Sequence, residues 1–237
     1  MINVKALIPF KYQERLVGIK SLYTGRGYST LSYSQEGEDL VLKRIFENRM
    51  DGFYVDVGAH HPMRFSNTYI FYNNGWKGIN IDAMPGSMEL FRRFRPRDVN
   101  VEVPVSDVRG VATYYAFNEP ALNGFSKELS ESRNGRKGNR IVFQKDIETK
   151  TLAEILDAHL PKDQMIDFLS IDVEGLDLEV LRSNNWEKYK PEVVLVEVLG
   201  TTLEAILGSA TACFMKTKGY VIFAKTFNTV FFRISEE

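Results

Sequence analysis

Apolar residues along this chain follow two spacings, which alternate from residue 53 onward. Short continuous apolar runs are typical of buried strands, whereas apolar positions three and four residues apart are typical of helices. Strand patterns that alternate with helix patterns predict right-handed crossovers in a parallel sheet. The predicted parallel strands cover residues 53–58, 78–82, 99–105, 166–173 and 193–198.

Helical spacing precedes and links these strands. Residues 40–46 predict a helix whose start carries Ser34 and several acids, which favours capping and suits the helix dipole. Further helices are predicted at 67–73 and 87–94, and another begins at Thr151, where Thr151 and Glu154 form a capping-box pattern. Residues 220–226 and 229–234 are strands joined by too few residues for a crossover, so an antiparallel hairpin is predicted at the end of the sheet.

Two segments stand outside this alternation. Residues 1–31 mix apolar and charged positions and predict an amphipathic arm. We expect the arm to pack on the core, although contact with a second subunit or a membrane surface is an open alternative. Residues 118–140, rich in Asn, Gly, Ser and Arg, predict a lid over the substrate, with a disordered segment as the alternative.

The composition is that of an ordinary globular domain. The 237 residues, 44% hydrophobic and 26% charged, fit one domain over residues 32–237 after the arm. A net charge of -1 gives no general attraction to nucleic acid or to a membrane, so neither is an expected partner. The single Cys213 cannot form an internal disulfide, and no apolar run reaches membrane-spanning length, so a cytoplasmic protein is predicted.

Acidic residues end a series of predicted strands. The carboxyl ends of neighbouring parallel strands line the ligand crevice of an open α/β sheet, so these acids should converge. Gly58 lets the backbone approach a ligand closely, but His60 and His61 stand where a dinucleotide motif would continue with glycine, which disfavours a pyrophosphate ligand. A single acid fits a cap or a turn, whereas five in series favour a site: Asp56, Asp82, Asp107, Asp172 and Glu197.

Several short stretches then occur in a recognisable order. They are YSQEGEDL at 33–40, GFYVDVGAHHP at 52–62, GWKGINID at 75–82, SD at 106–107, FLSIDVEG at 168–175 and the acid at 197. Together they resemble the FkbM-type S-adenosylmethionine-dependent methyltransferases. The resemblance implies a class I methyltransferase fold, which is a Rossmann-like α/β architecture with a seven-stranded, mostly parallel sheet ending in an antiparallel hairpin. It also implies S-adenosylmethionine as cofactor.

The resemblance implies roles for residues at the strand ends. Asp56 and Gly58 would form a shelf for the methionine part, and Asp82 would bind the ribose hydroxyls. Asp172 would lie near the methionine ammonium or the reacting centre. The remaining implied or candidate cofactor contacts are Ser106 and Asp107 beside the adenine, and Gln35 and Asp39 if their helix lies beside the first strand.

The implied activity is O-methylation of a sugar, a glycosylated metabolite or a surface glycan. Candidate substrate contacts are Asn123, Ser126 and Glu174. An alcohol acceptor must lose its proton, and His60, His61 and Asp172 are candidate catalytic residues, with packing as the alternative for the histidines.

Asp172 and Glu197 are also candidate oxygen ligands for Mg²⁺, with Glu174 as a third. In the alternative, Asp172 holds the donor ammonium and Glu197 is structural. Two other functions stay open at this point: a nicotinamide-dependent oxidoreductase, and a non-catalytic domain that binds a cofactor or a glycan.

Overall fold

A computed structural model describes residues 29–119, 122–199 and 202–235. The predicted amphipathic arm, residues 1–31, lies almost wholly outside the described residues, and the description below concerns residues 33–235. Within the described ranges, no helix combines the length and the apolar character that crossing a membrane requires.

The described elements alternate as predicted. The strands are β1 (Phe53–Val57), β2 (Lys77–Asp82), β3 (Val99–Glu102), β4 (Gly110–Phe117), β5 (Ile141–Thr149), β6 (Phe168–Ile171), β7 (Val193–Glu197), β8 (Tyr220–Lys225) and β9 (Thr229–Ile234). The helices are α1 (Glu38–Ile45), α2 (Tyr69–Asn73), α3 (Met88–Phe94), α4 (Lys127–Arg133), α5 (Leu152–His159), α6 (Asp177–Arg182), α7 (Leu203–Leu207) and α8 (Ala210–Thr217).

Seven strands form the central sheet in the order β3-β2-β1-β6-β7-β9-β8. The pairs from β3 to β7 are parallel, and β9 runs antiparallel to both β7 and β8. The chain first builds outward from β1 to β3 and then returns to β6 on the other side of β1. This confirms the predicted fold, a mostly parallel seven-stranded sheet that ends in an antiparallel hairpin.

The central strands are buried on both faces. Every residue of β1 is buried, and its side chains alternate between two apolar clusters. Val55 and Val57 pack in the cluster that includes residues of α5 and α6, whereas Tyr54 packs with Phe168 on the face covered by α1 and α2. Burial on both faces explains why the sequence shows continuous apolar runs here and no strict alternation.

A buried ion pair joins α3 to this second face. Arg95, at the carboxyl end of α3, and Asp98 have fully buried side chains and approach to 2.9 Å. Arg95 also donates to Tyr54 Oη at 2.7 Å and to Thr68 Oγ1 at 2.9 Å. Because these partners belong to β1 and to the cap of α2, the arginine fixes three elements beneath the sheet edge.

Several boundaries differ from the predicted ones. The predicted strand 99–105 leaves the sheet after Glu102, because Pro104 has no N–H to donate to a ladder, and Val105 instead makes an isolated bridge with Lys150. The predicted lid, 118–140, contains the helix α4 and connects β4 to β5, which form a separate antiparallel pair. Helix α5 carries the predicted capping box at Thr151 and Glu154.

Candidate functional site

A cleft opens at the carboxyl ends of β1, β2 and β6. Strand β1 leads outward to β2 and β3, while β6 lies on its other side, so the cleft is at the switch point where open α/β sheets bind ligands. Of the predicted residues, those lining the cleft are Gln35, Gly58, His60, Asp82, Asn123, Asp172 and Glu174. The others lie beside or behind the wall, as described below.

Gly58 brings the ends of β1 and β6 together. Its backbone has a φ of 83°, and a Cβ at this position would lie 1.7 Å from the carbonyl oxygen of Asp172. Its N–H donates to the carbonyl of Ile81 at 2.9 Å. The close approach that the sequence predicted for Gly58 therefore includes the neighbouring strand itself.

Asp82 ends β2 and holds the two loops on either side of the cleft. Its Oδ1 accepts from the Met84 N–H at 2.8 Å, and its Oδ2 accepts from the His60 N–H at 2.9 Å. Burial raises the pKa of the carboxyl above its ordinary value, while these two backbone donors act in the opposite direction. Each oxygen keeps a further lone pair with which it can accept a hydrogen bond from a ligand.

Asp172 and Glu197 form a carboxyl pair at the ends of β6 and β7. Their carboxyl groups are close enough for each to affect the pKa of the other. Packing around Asp172 and the charge of Glu197 raise the pKa of Asp172, although its side chain is still open to water in the cleft. Burial, followed by the charges of Glu174 and Asp177, raises the pKa of Glu197 to about 7. The pair can therefore exchange a proton near neutral pH.

The segment before α1 presents Gln35 to the cleft. Asp39 is fully buried and does not line the cleft; its Oδ2 accepts from the Tyr33 N–H at 2.7 Å and its Oδ1 from Ser34 Oγ at 2.8 Å. Ser34 Oγ in turn accepts from the N–H groups of Gly37 and Asp39. Ser34 is thus close to the helix start as predicted, but Gly37 occupies the cap position.

Asp56 lies beneath the cleft. Its carboxylate is buried within β1 and accepts from Thr68 Oγ1 at 3.0 Å. Burial raises its pKa, and the nearby Arg95 opposes that effect. Asp56 supports the cleft from below and is not among the lining residues.

The two histidines differ in position. His60 lines the cleft, and its backbone is in the left-handed region with a φ of 52°. His61 Nδ1 accepts from the N–H groups of Met63 and Arg64, so its imidazole stabilises the loop and does not line the cleft. Phe65 and Glu174, which also line the cleft, have φ angles of 57° and 56°. Strained backbone of this kind clusters at functional sites.

The connection from β4 to β5 forms the remaining wall. Asn123 lines the cleft, and its Oδ1 accepts from the Phe117 N–H at 2.7 Å. Ser126 lies outside the wall and caps α4 by accepting from the Leu129 N–H. Arg133 of α4 pairs with Glu174 at 3.0 Å, which joins the helix to the loop after β6.

Ser106 and Asp107 lie just beyond the cleft. Val105 lines it, but Ser106 and the exposed Asp107 turn away toward the start of β4. Of the five strand-end acids, Asp82 and Asp172 line the cleft, and Glu197 lies close to Asp172. Asp56 and Asp107 are not among the lining residues. Within the described ranges, the cleft included, no three His, Cys, Asp or Glu side chains are grouped so that they could hold a metal ion.

Sequence reasoning missed most of the apolar wall. Met84, Val103, Pro104, Tyr114 and Phe125 line the cleft. Val103 and Pro104 follow β3 directly, so their position could have been inferred from the strand order. Tyr114 lies on β4 and Phe125 in the connection from β4 to β5, and no pattern in the sequence marks the side of either that faces the cleft.

Some solved structures resemble this chain only distantly. A TehB-like SAM-dependent methyltransferase from Corynebacterium glutamicum is 9% identical, with 95% of this chain and 99% of that chain covered and a TM-score of 0.38. A candidate RNA methyltransferase from Pyrococcus horikoshii is 11% identical, with 94% and 100% covered and a TM-score of 0.42. A candidate O-methyltransferase from Klebsiella pneumoniae is 11% identical, with 98% and 94% covered and a TM-score of 0.41.

No curated protein matches the chain. The family comparison is informative, because the profile of the methyltransferase FkbM domain matches residues 56–221. This stretch covers more than half of the chain and extends from β1 into β8, so it includes both sides of the cleft. The chain therefore belongs to the family of the methyltransferase FkbM domain.

Proposed function

We propose that this protein transfers a methyl group from S-adenosylmethionine to a hydroxyl group of a sugar or a glycosylated metabolite. Membership of the FkbM methyltransferase family supports methyl transfer as the reaction. The observation that carries the proposal is Asp82, whose carboxylate ends β2, lines the cleft and keeps accepting positions beside an apolar wall.

The cleft residues fit such a cofactor chemically. A carboxylate that accepts from two neighbouring hydroxyls suits a ribose, and Asp82 is the carboxylate beside Met84, Val103 and Val105, which offer an apolar surface to a purine. At the other end, Asp172 and Glu174 place negative charge where a cationic methionine part would lie. Gln35 adds an amide that can donate and accept.

Bound S-adenosylmethionine supplies a methyl group on a sulfonium. The protein must then align the acceptor, exclude water and remove the proton of the acceptor hydroxyl. Asp172 lines the cleft, and its partner Glu197 has a pKa of about 7, so the ionised pair can take up that proton near neutral pH. His60 is the second candidate base, since it lines the same cleft.

Charge in the cleft favours a neutral acceptor. Three carboxylates line it, those of Asp82, Asp172 and Glu174, and the nearby Arg133 is already paired with Glu174. A phosphorylated or carboxylated acceptor would meet repulsion there, whereas sugar hydroxyls can donate to carboxylates and to Asn123. Magnesium is not part of the proposal, because no three His, Cys, Asp or Glu side chains among the described residues are grouped so that they could hold a metal ion.

Calorimetric titration with S-adenosylhomocysteine tests the cofactor assignment. We expect wild-type protein to bind it and Asp82→Asn to bind at least about 10-fold more weakly, since hydrogen bonds to a charged group are worth about 1.5–3 kcal/mol. Asp107→Asn is the matched control: the same change at an exposed acid outside the cleft should leave the affinity unchanged. A folded wild-type protein that does not bind would overturn the proposal.

The acceptor is tested separately. Release of S-adenosylhomocysteine is followed with free sugars, glycosides and sugar phosphates, each with and without EDTA. We expect turnover with neutral sugars or glycosides and none with the phosphates. Turnover only with sugar phosphates would contradict the proposed acceptor class, and loss of turnover in EDTA would restore the magnesium hypothesis.

A further inference from the structure

The phenol of Tyr114 is an unexplained polar group in the cleft wall. Tyr114 lies on β4, is 2% exposed and lines the cleft. Its ring packs against Phe125 and Phe143, with centroid distances of 5.2 and 6.2 Å. These contacts fix the ring from two sides, and the phenol oxygen itself is buried.

The hydroxyl group has no hydrogen-bond partner of ordinary geometry within residues 29–119, 122–199 and 202–235. Asn123 lies beside it, but the Oδ1 of Asn123 accepts from Phe117 N and its Nδ2 donates to Met84 Sδ at 3.3 Å. A buried polar atom without a partner costs stability. A phenylalanine would fill the same space without that cost, so the hydroxyl group calls for a functional explanation.

The surroundings indicate which part of a ligand the hydroxyl group meets. Burial and, next, the negative charge of Asp82 raise the pKa of Tyr114, and the side chain of Asn123 acts in the opposite direction. The phenol therefore stays protonated and can donate. Asp82, the proposed ribose ligand, is close enough to act on it.

We propose that the Tyr114 hydroxyl donates a hydrogen bond to the nucleoside part of the bound cofactor. The proposal rests on the proposed function, and it assigns β4 a role: its cleft side covers the nucleoside beside Asp82. The hydroxyl group lacks a partner among the described residues because its partner is the ligand. Tyr114 is then a cofactor-binding residue that neither the strand-end pattern nor the resemblance indicates.

Paired measurements on Tyr114→Phe test this inference. Calorimetry with S-adenosylhomocysteine and with adenosine should give affinities about 5-fold weaker than wild type for both ligands, as expected for one hydrogen bond of about 1 kcal/mol. Denaturant unfolding of the free protein should show Tyr114→Phe to be as stable as wild type or more stable. Tyr115→Phe is the matched control, because Tyr115 is buried on the same strand but does not line the cleft.

Each other outcome overturns the inference. Unchanged affinity of Tyr114→Phe for S-adenosylhomocysteine, with a wild-type protein that binds, refutes this role and leaves the proposed function intact. Weaker binding of S-adenosylhomocysteine but not of adenosine moves the contact away from the nucleoside. A less stable free Tyr114→Phe shows that the hydroxyl has a structural partner. Failure of the wild-type protein to bind refutes the proposed function as well.

Discussion

Asp172 and Glu197 illustrate how one pair of side chains couples stability to chemistry. Two neighbouring carboxyl groups in a partly buried site favour holding a proton, because the proton keeps like charges from facing each other. A base for an alcohol needs the opposite state, because a protonated pair has no acceptor for the incoming proton. The form that we propose to be active is therefore the less stable form of the folded protein.

Replacement of Glu197 should reveal this coupling. Folding raises the pKa of Glu197 from 4.5 to about 7, so the folded state binds more protons than the unfolded state between these two values. The free energy of unfolding therefore falls as the pH rises through this window and is level above it. Because Glu197 is only partly buried, we expect a loss of about 1–2 kcal/mol, less than the full shift implies.

Urea unfolding of wild type and Glu197→Gln from pH 4.5 to 8 measures the effect. The free energy of unfolding of wild type should fall as the pH rises. The fall should be smaller in Glu197→Gln, because its amide does not titrate. Glu131→Gln, at an exposed position on α4, reports the effect of losing one surface charge. Parallel pH profiles for wild type and Glu197→Gln would contradict the expected coupling.

Asp56 and Asp82 show that the sequence predicts where strand-end acids lie but not which of them line the cleft. Both acids were correctly expected near the ends of neighbouring strands, yet only Asp82 lines the cleft. Asp56 is the fourth residue of a five-residue strand, and its side chain points into the buried face, where Thr68 donates to it. Depth along the strand decides this difference, because Asp56 pairs with Asn80, which lies two residues before Asp82 on the same face of the sheet. The sequence pattern does not define each strand end closely enough to show which acid is the deeper one.

The connection between β4 and β5 is a wall of the cleft that contacts with the rest of the fold hold in place. Strands β4 and β5 pair along their length, and α4 is tied back to the loop after β6 by Arg133 and Glu174. Composition indicated a polar loop, because Asn, Gly and Ser dominate the segment. The helix was missed since it is only seven residues long and has too few apolar positions to show a period.

Replacement of Ser126 tests whether this residue caps α4 or contacts the substrate directly. Its Oγ accepts from the Leu129 N–H at the start of α4, so Ser126→Ala should lower the free energy of unfolding by about 1 kcal/mol. Affinity for S-adenosylhomocysteine should not change. Ser132→Ala is the matched control, because Ser132 is exposed on the same helix and its loss should be almost neutral. A variant of normal stability that fails to turn over an acceptor would show instead that Ser126 contacts the substrate.

The order of the elements was predicted well because it depends on long patterns. Short segments rich in apolar residues identified each parallel strand of the central sheet, and the short connection near residue 227 required the antiparallel end. Pro104 ends the third strand earlier than its alternating valines suggest. The positions of side chains in the cleft depend on loops, in which the backbone conformation of each residue sets the direction of the next.

The two halves of the central sheet meet where β1 lies beside β6. The chain builds one half of the sheet from β1 outward and the other half from β6 outward, so this pair joins the two halves. The same pair carries Gly58 and Asp172 at its carboxyl end. The fold thus places its central junction and its cleft at one point, and damage to the junction should remove the site.

Gly58→Ala should separate the two strand ends. A Cβ would lie 1.7 Å from the Asp172 carbonyl oxygen, and the φ of 83° already disfavours a side chain. Gly86→Ala is a matched control with a φ of 85° and no atom within 4 Å of the added carbon. The control should cost about 1 kcal/mol, the price of the left-handed backbone alone. Gly58→Ala should cost at least about 3 kcal/mol, because backbone must move as well.

Denaturant unfolding and titration with S-adenosylhomocysteine, performed on both variants, measure the two effects together. We expect Gly86→Ala to bind like wild type and Gly58→Ala to lose binding even where it remains folded, because Asp172 and the loop after β1 can no longer hold their positions. Equal losses of stability in the two variants would mean that the strands separate at little cost. In that case the contact between β1 and β6 would not be what fixes the cleft.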